Sequence, residues 1–202
     1  MKIIAATHNK KKAAEMKRIL SDIGIADVMT LDEAGITEDV EETGTTFAEN
    51  ALIKARAAFA ATGLPSVADD SGLSVDVLGG APGVYSARYA SADGENASDE
   101  ANLDKLLENM KGVPDGERTA RFVSAIAFVD GVHEDICVLG KVEGIITGER
   151  RGDGGFGYDP VFFYAPYGRT FGELSDSEKN EVSHRGAALR ALKNALQSRK
   201  DG

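Results

Sequence analysis

The chain has 202 residues, of which 42% are hydrophobic and 28% charged, and this composition is typical of a globular protein with a hydrophobic core. Its formal net charge of −10 at pH 7 argues against a DNA- or RNA-binding protein, because such proteins usually carry a basic surface. The sequence lacks a run of about 18 apolar residues, so we expect no membrane-spanning helix.

The N-terminal part of the chain predicts a strand followed by two helices. Residues 2–7 (KIIAAT) form a short apolar run that is typical of a strand. Apolar residues at helical spacing then predict a first helix: Ala13, Met16 and Leu20. Thr46 and Glu49 form a capping box, so we expect a second helix to begin there and to end at Gly63.

An acidic pair, Asp69 and Asp70, is followed directly by a serine and a glycine. We predict strands at 65–70 and 73–78 with a tight turn between them, because Asp, Ser and Gly are typical turn residues. If the first strand ends at the pair, the two side chains point to opposite faces, and only one is expected to reach a given site. A carboxylate at a strand end can hold Mg²⁺, which prefers oxygen ligands, or can deprotonate a water.

The C-terminal half combines further helices and strands. A third helix is predicted from the spacing of Leu103, Leu106, Leu107 and Met110. Long β segments follow at 120–130 and 135–146, with a short strand at 161–164 and a closing helix around 189–196. These elements predict an α/β fold in which helices flank a mixed β-sheet, with two lobes around a central cleft, in one domain spanning 1–202.

Cys137 is the only cysteine of the chain and lies within the apolar stretch ICVLG. We therefore expect a buried thiol at this position. A single cysteine cannot form an internal disulfide, which favours a reducing, cytoplasmic location.

Two further segments carry residues that suit a nucleotide. Residues 7–12 (THNKKK), the phosphate loop, place lysines at a helix start, where the helix dipole disfavours cations unless an anion binds. The alternative is a basic loop whose lysines point into water. In the stretch GGFGYDP, Phe156 lies between glycines, and an aromatic ring can stack on a nucleobase. His184 and Arg185 can donate hydrogen bonds to a base edge, although each can equally have a structural role.

These segments together resemble the inosine/xanthosine triphosphate pyrophosphatase family, whose members remove non-standard purine nucleoside triphosphates. The matching stretches follow the family's order along nearly the whole chain: THNKKK, EETGTTFAENALIKA, ADDSGLSVDVLGGAPGVYSARYA, GGFGYDPVFF and SHRGAAL. The resemblance implies an elongated mixed α/β fold and a homodimer. It also implies Mg²⁺-dependent cleavage of ITP, dITP or XTP to the monophosphate and pyrophosphate.

The resemblance implies roles for individual residues as well. The triphosphate contacts that it implies are Thr7, His8, Asn9, Lys12 and Lys54. The Mg²⁺ ligands that it implies are Glu42 and Asp70, with Asp69 as a further candidate, and Asp70 is also the implied proton acceptor. The implied contacts to the base and sugar are Ser71, Phe156, Gly157, Tyr158 and Asp159, and those that recognise the purine are Lys179, His184 and Arg185.

One departure from the family pattern and two alternative functions stay open. His8 stands where many members carry glycine, and Lys10 and Lys11 replace a small pair, so phosphate affinity can differ. A Maf-like pyrophosphatase for modified nucleotides has a related architecture, but its opening serine-arginine loop is not found in this sequence. A non-catalytic nucleotide sensor is the other alternative, and the presence of both aspartates, Glu42 and the lysines argues against it. We expect neither a nucleic acid nor a membrane as a partner.

Overall fold

The structure is a computed structural model that describes residues 2–22 and 24–200. The strands are β1 (Ile3–Ala5), β2 (Val28–Thr30), β3 (Ser66–Val75), β4 (Thr119–Val129), β5 (Ile136–Ile146), β6 (Phe162–Tyr164) and β7 (Arg169–Thr170). The helices are α1 (Lys10–Asp22), α2 (Phe47–Thr62), α3 (Asp99–Asn109), α4 (Asp176–Val182) and α5 (His184–Lys200). Among the described residues, no helix is both long enough and apolar enough to cross a membrane.

The strands form one mixed sheet of seven strands over the described residues, in the order β2-β1-β3-β4-β5-β6-β7. β1 runs parallel to both of its neighbours, β2 and β3, and helices α1 and α2 supply the crossovers that parallel strands require. β6 runs antiparallel to β5 and β7. The predicted α/β class with a mixed sheet and flanking helices is therefore confirmed.

The chain divides into two compact units, and the first comprises the described parts of 1–70, 124–140 and 184–202. Neighbouring Ile3 and Ile4 of β1 are both buried, but they belong to different apolar clusters. The reason is that successive side chains of a strand point to opposite faces of the sheet. The Ile3 cluster includes residues of α1 and α5, whereas the Ile4 cluster includes the small residues Ala51 and Ala55 of α2.

The second unit comprises residues 71–123 and 141–183 and has an apolar core of its own. Phe122, Phe162 and Phe171 pack together at its centre, and the rings of Phe122 and Phe162 have their centroids 4.5 Å apart. Leu103 and Leu106 of α3 contribute to the same core, as their helical spacing predicts.

The predicted second helix is confirmed at both ends. The Thr46 hydroxyl accepts a hydrogen bond from the Glu49 N–H at 3.2 Å, and the Glu49 carboxylate accepts one from the Thr46 N–H at 3.1 Å. Helix α2 then ends at Gly63, whose φ of 67° is a left-handed conformation that glycine adopts without strain.

The predicted turn at the acidic pair is wrong, because β3 runs without interruption from Ser66 to Val75. Gly72 is needed there for close packing and does not mark a turn. A Cβ atom at Gly72 would lie 2.3 Å from the Ser86 hydroxyl, and that hydroxyl accepts a hydrogen bond from the Leu73 N–H. The aspartates remain in the strand because cations and hydrogen-bond donors surround them, as described below.

The prediction of a buried Cys137 is also wrong, since its side chain is exposed. Buried and exposed residues alternate along β5, with Ile136, Gly140 and Val142 buried and Cys137 and Leu139 exposed. A strand with one covered face produces this period of two, and Cys137 falls on the uncovered face. Its apolar neighbours in the sequence therefore gave no information about its own burial.

Candidate active site

Asp69 and Asp70 lie side by side on β3, and both are almost fully buried, with exposures of 1% and 6%. Such burial of a carboxylate is unfavourable unless it is paired and hydrogen-bonded. The two side chains meet separate sets of partners, as neighbouring residues of a strand do. Each set is built from residues that are distant in the sequence.

Asp70 is part of a group that we call the Lys54 cluster, formed by Glu42, Asn50, Lys54 and Asp70. The Lys54 ammonium donates to Asp70 Oδ1 at 2.7 Å and to Glu42 Oε1 at 2.9 Å. Asn50 Nδ2 donates to the other oxygen of Asp70 at 3.4 Å. Asn50 and Lys54 lie one turn apart on α2, so the capped helix directs both side chains at the same carboxylate.

The electrostatics of the Lys54 cluster suit a base beside a permanent cation. Burial and the nearby Glu42 charge raise the pKa of the Asp70 carboxyl. The charges of Lys54 and Lys12 lower it but offset only part of this increase. Burial alone lowers the pKa of Lys54, but the charges of Asp70 and Glu42 raise it above its ordinary value. Lys54 is therefore charged at neutral pH, and Asp70 is a stronger base than an exposed aspartate.

Asp69 is part of a second group, the Arg185 triad, in which the buried Arg185 pairs with both Asp69 and Glu15. Arg185 Nη2 donates to Asp69 Oδ2 at 3.0 Å, and Arg185 Nη1 donates to Glu15 Oε2. The Ser124 hydroxyl donates to Asp69 Oδ1 at 2.6 Å, and Lys12 Nζ lies 3.2 Å from Asp69 Oδ2.

The cations around Asp69 keep it ionised, in contrast to Asp70. Burial alone would raise the pKa of Asp69, but the charges of Arg185 and Lys12 and the Ser124 hydrogen bond hold it well below its ordinary range. Asp69 is therefore suited to hold Lys12 and Arg185 in place, whereas the carboxylate with the higher proton affinity is Asp70.

Sequence reasoning did not identify three residues of this site: Glu15, Asn50 as a partner of Asp70, and Ser124. Glu15 follows Lys12 by three residues on α1, so its position on the same helix side as Lys12 was a usable signal. Ser124 lies in the middle of β4, and nothing in the sequence around it indicated a contact with Asp69.

The phosphate loop begins α1 with an N-cap of its own. The side-chain oxygen of Asn9 accepts hydrogen bonds from the N–H groups of Lys11 at 3.0 Å and Lys12 at 3.1 Å. Thr7 Oγ1 accepts one from the Asn9 N–H at 3.2 Å. The loop conformation is thus held by its own side chains. His8 points to residues of another segment: its Nδ1 lies 3.0 Å from Asp32 Oδ1.

The donor set of the Lys54 cluster fits Mg²⁺. Glu42 and Asp70 both direct an oxygen at the Lys54 ammonium, so these oxygens converge on a small volume. Mg²⁺ prefers oxygen ligands and commonly takes one or two carboxylates, with the remaining positions filled by water and substrate phosphates. Within residues 2–22 and 24–200, no group of three or more His, Cys, Asp or Glu side chains could hold a metal ion. Two carboxylates would leave the remaining positions of such an ion to water and other oxygen ligands.

The second unit brings together three of the residues that the sequence analysis assigns to the sugar or the base: Phe156, Asp159 and Lys179. The Lys179 ammonium donates to Asp159 Oδ2 at 2.6 Å and lies 4.5 Å from the centroid of the Phe156 ring. The same Asp159 oxygen accepts a hydrogen bond from the Phe156 N–H at 2.7 Å. A buried ion pair thus fixes both the backbone and the ring face of Phe156. The Tyr158 hydroxyl donates to the Ser86 carbonyl oxygen at 2.8 Å, and burial raises the Tyr158 pKa.

The remaining predicted residues occupy defined positions. Gly157 donates its N–H to the carboxylate of Asp99 at 2.9 Å, which ties the loop to the start of α3. Ser71 is partly buried and follows Asp70 on β3. His184 is buried and is the first residue of α5. A Cβ atom at Gly140 would lie 2.1 Å from the His184 carbonyl oxygen, so this glycine lets β5 approach the start of α5.

Comparisons with known proteins find relatives along nearly the whole chain. The chain is 49% identical over 199 residues to the dITP/XTP pyrophosphatase of Escherichia coli strain K12, and the match covers 98% of each protein. It is similar to the solved structure of the Staphylococcus aureus Ham1 protein, with a TM-score of 0.86, 40% identity and coverage of 98% of this chain and 100% of that chain. For a HAM1 protein from Coxiella burnetii the TM-score is 0.85 and the identity 44%, with coverage of 98% and 99%.

A sequence model of the Ham1 family matches residues 3–195, which is nearly the whole chain. The resemblance drawn from the motifs is confirmed by this match, and the relatives' names confirm the predicted enzyme class, a pyrophosphohydrolase. With a family match of this length and close to half of its residues identical to those of curated relatives, the chain belongs to the Ham1 family.

Proposed function

We propose that this enzyme hydrolyses dITP, XTP and ITP to the nucleoside monophosphate and pyrophosphate. The single observation that carries the proposal is the Lys54 cluster, in which a buried aspartate of raised pKa faces a charged lysine and a second carboxylate. The names of the curated relatives, dITP/XTP pyrophosphatase, support the choice of substrate.

In this proposal Asp70 acts as the general base. It accepts a proton from a water whose oxygen bonds to the α-phosphorus. The bond between the α-phosphorus and the oxygen that bridges to the β-phosphate breaks, and pyrophosphate leaves with that electron pair. Phosphoryl transfer depends mainly on positioning and charge stabilisation, so the surrounding cations matter as much as the base.

The phosphate groups are assigned to the first unit. Lys12 and Lys54 already face carboxylates, and a triphosphate would compete for the same ammonium groups. Glu42 and Asp70 are the residues that would hold Mg²⁺, with Asp69 as a further candidate. When bound, the ion supplies neutralisation of charge on the phosphate oxygens. Thr7 and Asn9 hold the loop from which Lys12 extends.

The purine is assigned to residues of the second unit. Phe156 offers a ring for stacking, and the Lys179–Asp159 pair offers one donor and one acceptor group. A lysine donor suits the 6-oxo group of hypoxanthine and xanthine and meets the 6-amino group of adenine badly. Arg185, assigned to the purine from the sequence, is bound to two carboxylates, and these contacts favour a role in holding Asp69.

The test is pyrophosphate release in the presence of Mg²⁺, measured for wild type and Asp70→Asn with ITP, XTP, dITP, GTP, ATP and methylated nucleotides. Loss of a general base is expected to lower kcat by about 100- to 10,000-fold. Asp135→Asn is the matched control, because Asp135 also pairs with a cation, Arg56, at 2.7 Å but lies outside the Lys54 cluster.

The outcomes separate the alternatives. Near-normal release by a folded Asp70→Asn protein would refute the role of Asp70. Preference for methylated nucleotides would indicate a Maf-like activity, and tight binding of ITP without release would indicate a sensor. The homodimer, the single domain spanning 1–202 and the cytoplasmic location remain predictions from the sequence.

A further inference from the structure

His8 belongs to the phosphate loop, but its ring contacts another part of the chain. Nδ1 lies 3.0 Å from Asp32 Oδ1, in the turn that follows β2. Nε2 lies 3.4 Å from the Glu38 carbonyl oxygen and 3.7 Å from Asp39 Oδ1. Each ring nitrogen therefore faces only oxygen acceptors among these contacts.

This arrangement matches one protonation state of the ring. A neutral imidazole has one N–H donor and one nitrogen lone pair, whereas the imidazolium ion has two N–H donors. With acceptors on both sides, the neutral ring leaves a lone pair opposite an oxygen. The doubly protonated ring satisfies both sides and adds charge attraction to Asp32 and Asp39.

His8 and the Lys54 cluster contact the same segment of the chain. Residues 36–43, hereafter the acidic segment, lie outside every described helix and strand and carry Glu42 near their end. Lys54 holds the segment at Glu42, and His8 holds it at Glu38 and Asp39. A segment without regular secondary structure depends on such side-chain contacts for its position.

We propose that His8, in its doubly protonated form, is a clasp that holds the acidic segment against the phosphate loop and thereby positions Glu42. The significance of that position for metal binding rests on the proposed function. His8 is a positioning residue in this proposal, since both of its ring nitrogens are directed at the segment and not at a substrate.

The charged groups around His8 determine how the clasp responds to pH. Its own loop carries Lys10, Lys11 and Lys12, and the part of the chain packed against it carries Asp32, Glu38 and Asp39. Burial alone lowers the pKa of His8, but the hydrogen bonds to Asp32 and Glu38 and the charges of Asp39 and Asp32 raise it above 6.5. The clasp is therefore closed below that raised pKa and is released as pH rises through it.

The test uses the full chain without nucleotide or metal. The pKa of the His8 ring is measured by NMR titration. The protection of residues 36–43 against a glutamate-specific protease, which cleaves after Glu38, Glu41 and Glu42, is measured across the same pH range relative to an unstructured peptide of the same sequence. If the His8 pKa exceeds that of a free histidine ring by one unit, protection should be about tenfold higher with the ring doubly protonated than with the ring neutral. Each further unit should add about another factor of ten. His8→Gln should show low protection at every pH.

His133→Gln is the matched control, because His133 also pairs with an aspartate, Asp130, at 2.8 Å, but on the loop between β4 and β5. It should leave the pH-dependent protection of the acidic segment unchanged. Asp39→Asn should lower the His8 pKa without removing the ring. A wild-type His8 that titrates at or below the free value, or equal protection in wild type and His8→Gln, would overturn the clasp. These readouts need no catalysis, so a failure of the proposed activity would leave the result interpretable.

Discussion

Arg185 holds two buried carboxylates at once, and we predict that removing its charge destabilises the enzyme strongly. Its side chain is 1% exposed, and the side chains of its partners Asp69 and Glu15 are 0% and 8% exposed. The perturbation is Arg185→Met, which keeps an unbranched apolar stem and removes only the guanidinium. Removing one partner of a buried ion pair costs about 3–5 kcal/mol, because it leaves an uncompensated buried charge.

The structure places the expected loss near the lower end of that range. Asp69 keeps the Lys12 ammonium at 3.2 Å and the Ser124 hydroxyl at 2.6 Å when Arg185 is removed. Glu15 loses its charged partner while its carboxylate stays buried. The loss should therefore fall mainly on Glu15 and amount to about 3 kcal/mol in the free energy of unfolding. For a chain of this size that corresponds to roughly 6–12 °C in Tm.

The assay is urea unfolding at pH 7, with Arg56→Met as the control. Arg56 also pairs with a carboxylate, Asp135, but its side chain is 62% exposed, so we expect a loss of only about 0–1 kcal/mol. Adding Glu15→Gln to Arg185→Met should recover at least about 1 kcal/mol, because the buried negative charge is then removed as well. If Arg185→Met were as stable as Arg56→Met, or if Glu15→Gln brought no recovery, the reasoning about buried charge would be refuted.

Two further predictions concern stability outside the Arg185 triad. Gly72→Ala would place a Cβ atom 2.3 Å from the Ser86 hydroxyl, and we expect urea unfolding to show a loss of about 1–3 kcal/mol. Gly116→Ala, which meets nothing within 4 Å, should change stability little, and equal losses in both variants would contradict the packing argument. Burial alone would raise the pKa of Asp130, but hydrogen bonds from His133 lower it from 3.8 to about 2. The ionised Asp130 therefore stabilises the folded state above pH 3.8, and this stabilisation is lost as pH falls through about 2. The stability gap between wild type and Asp130→Asn should accordingly narrow over this acidic range in unfolding experiments at successive pH values, and a constant gap would show that the carboxylate charge is not responsible.

Local patterns in the sequence were sufficient for the features that depend on neighbouring residues. The capping box of Thr46 and Glu49 and the glycine at 63 correctly predicted both ends of α2. These signals are reliable because a cap satisfies backbone groups within one turn of itself. The order of the motifs along the chain likewise indicated the family, which the comparisons confirmed. The short strands β2 and β7 and helix α4 carried too few residues to give a comparable pattern.

Only the tertiary structure showed whether the aspartates stand in a turn or a strand. By local preference, Asp69, Asp70 and Gly72 favoured a turn, and the strand is stable because distant residues compensate for their burial. Arg185 lies 116 positions from Asp69, Ser124 lies 55 positions away, and Lys54 reaches Asp70 from another element. A charge is buried at low cost only where an opposite charge and hydrogen-bond donors surround it, and that condition depends on which segments the fold brings together.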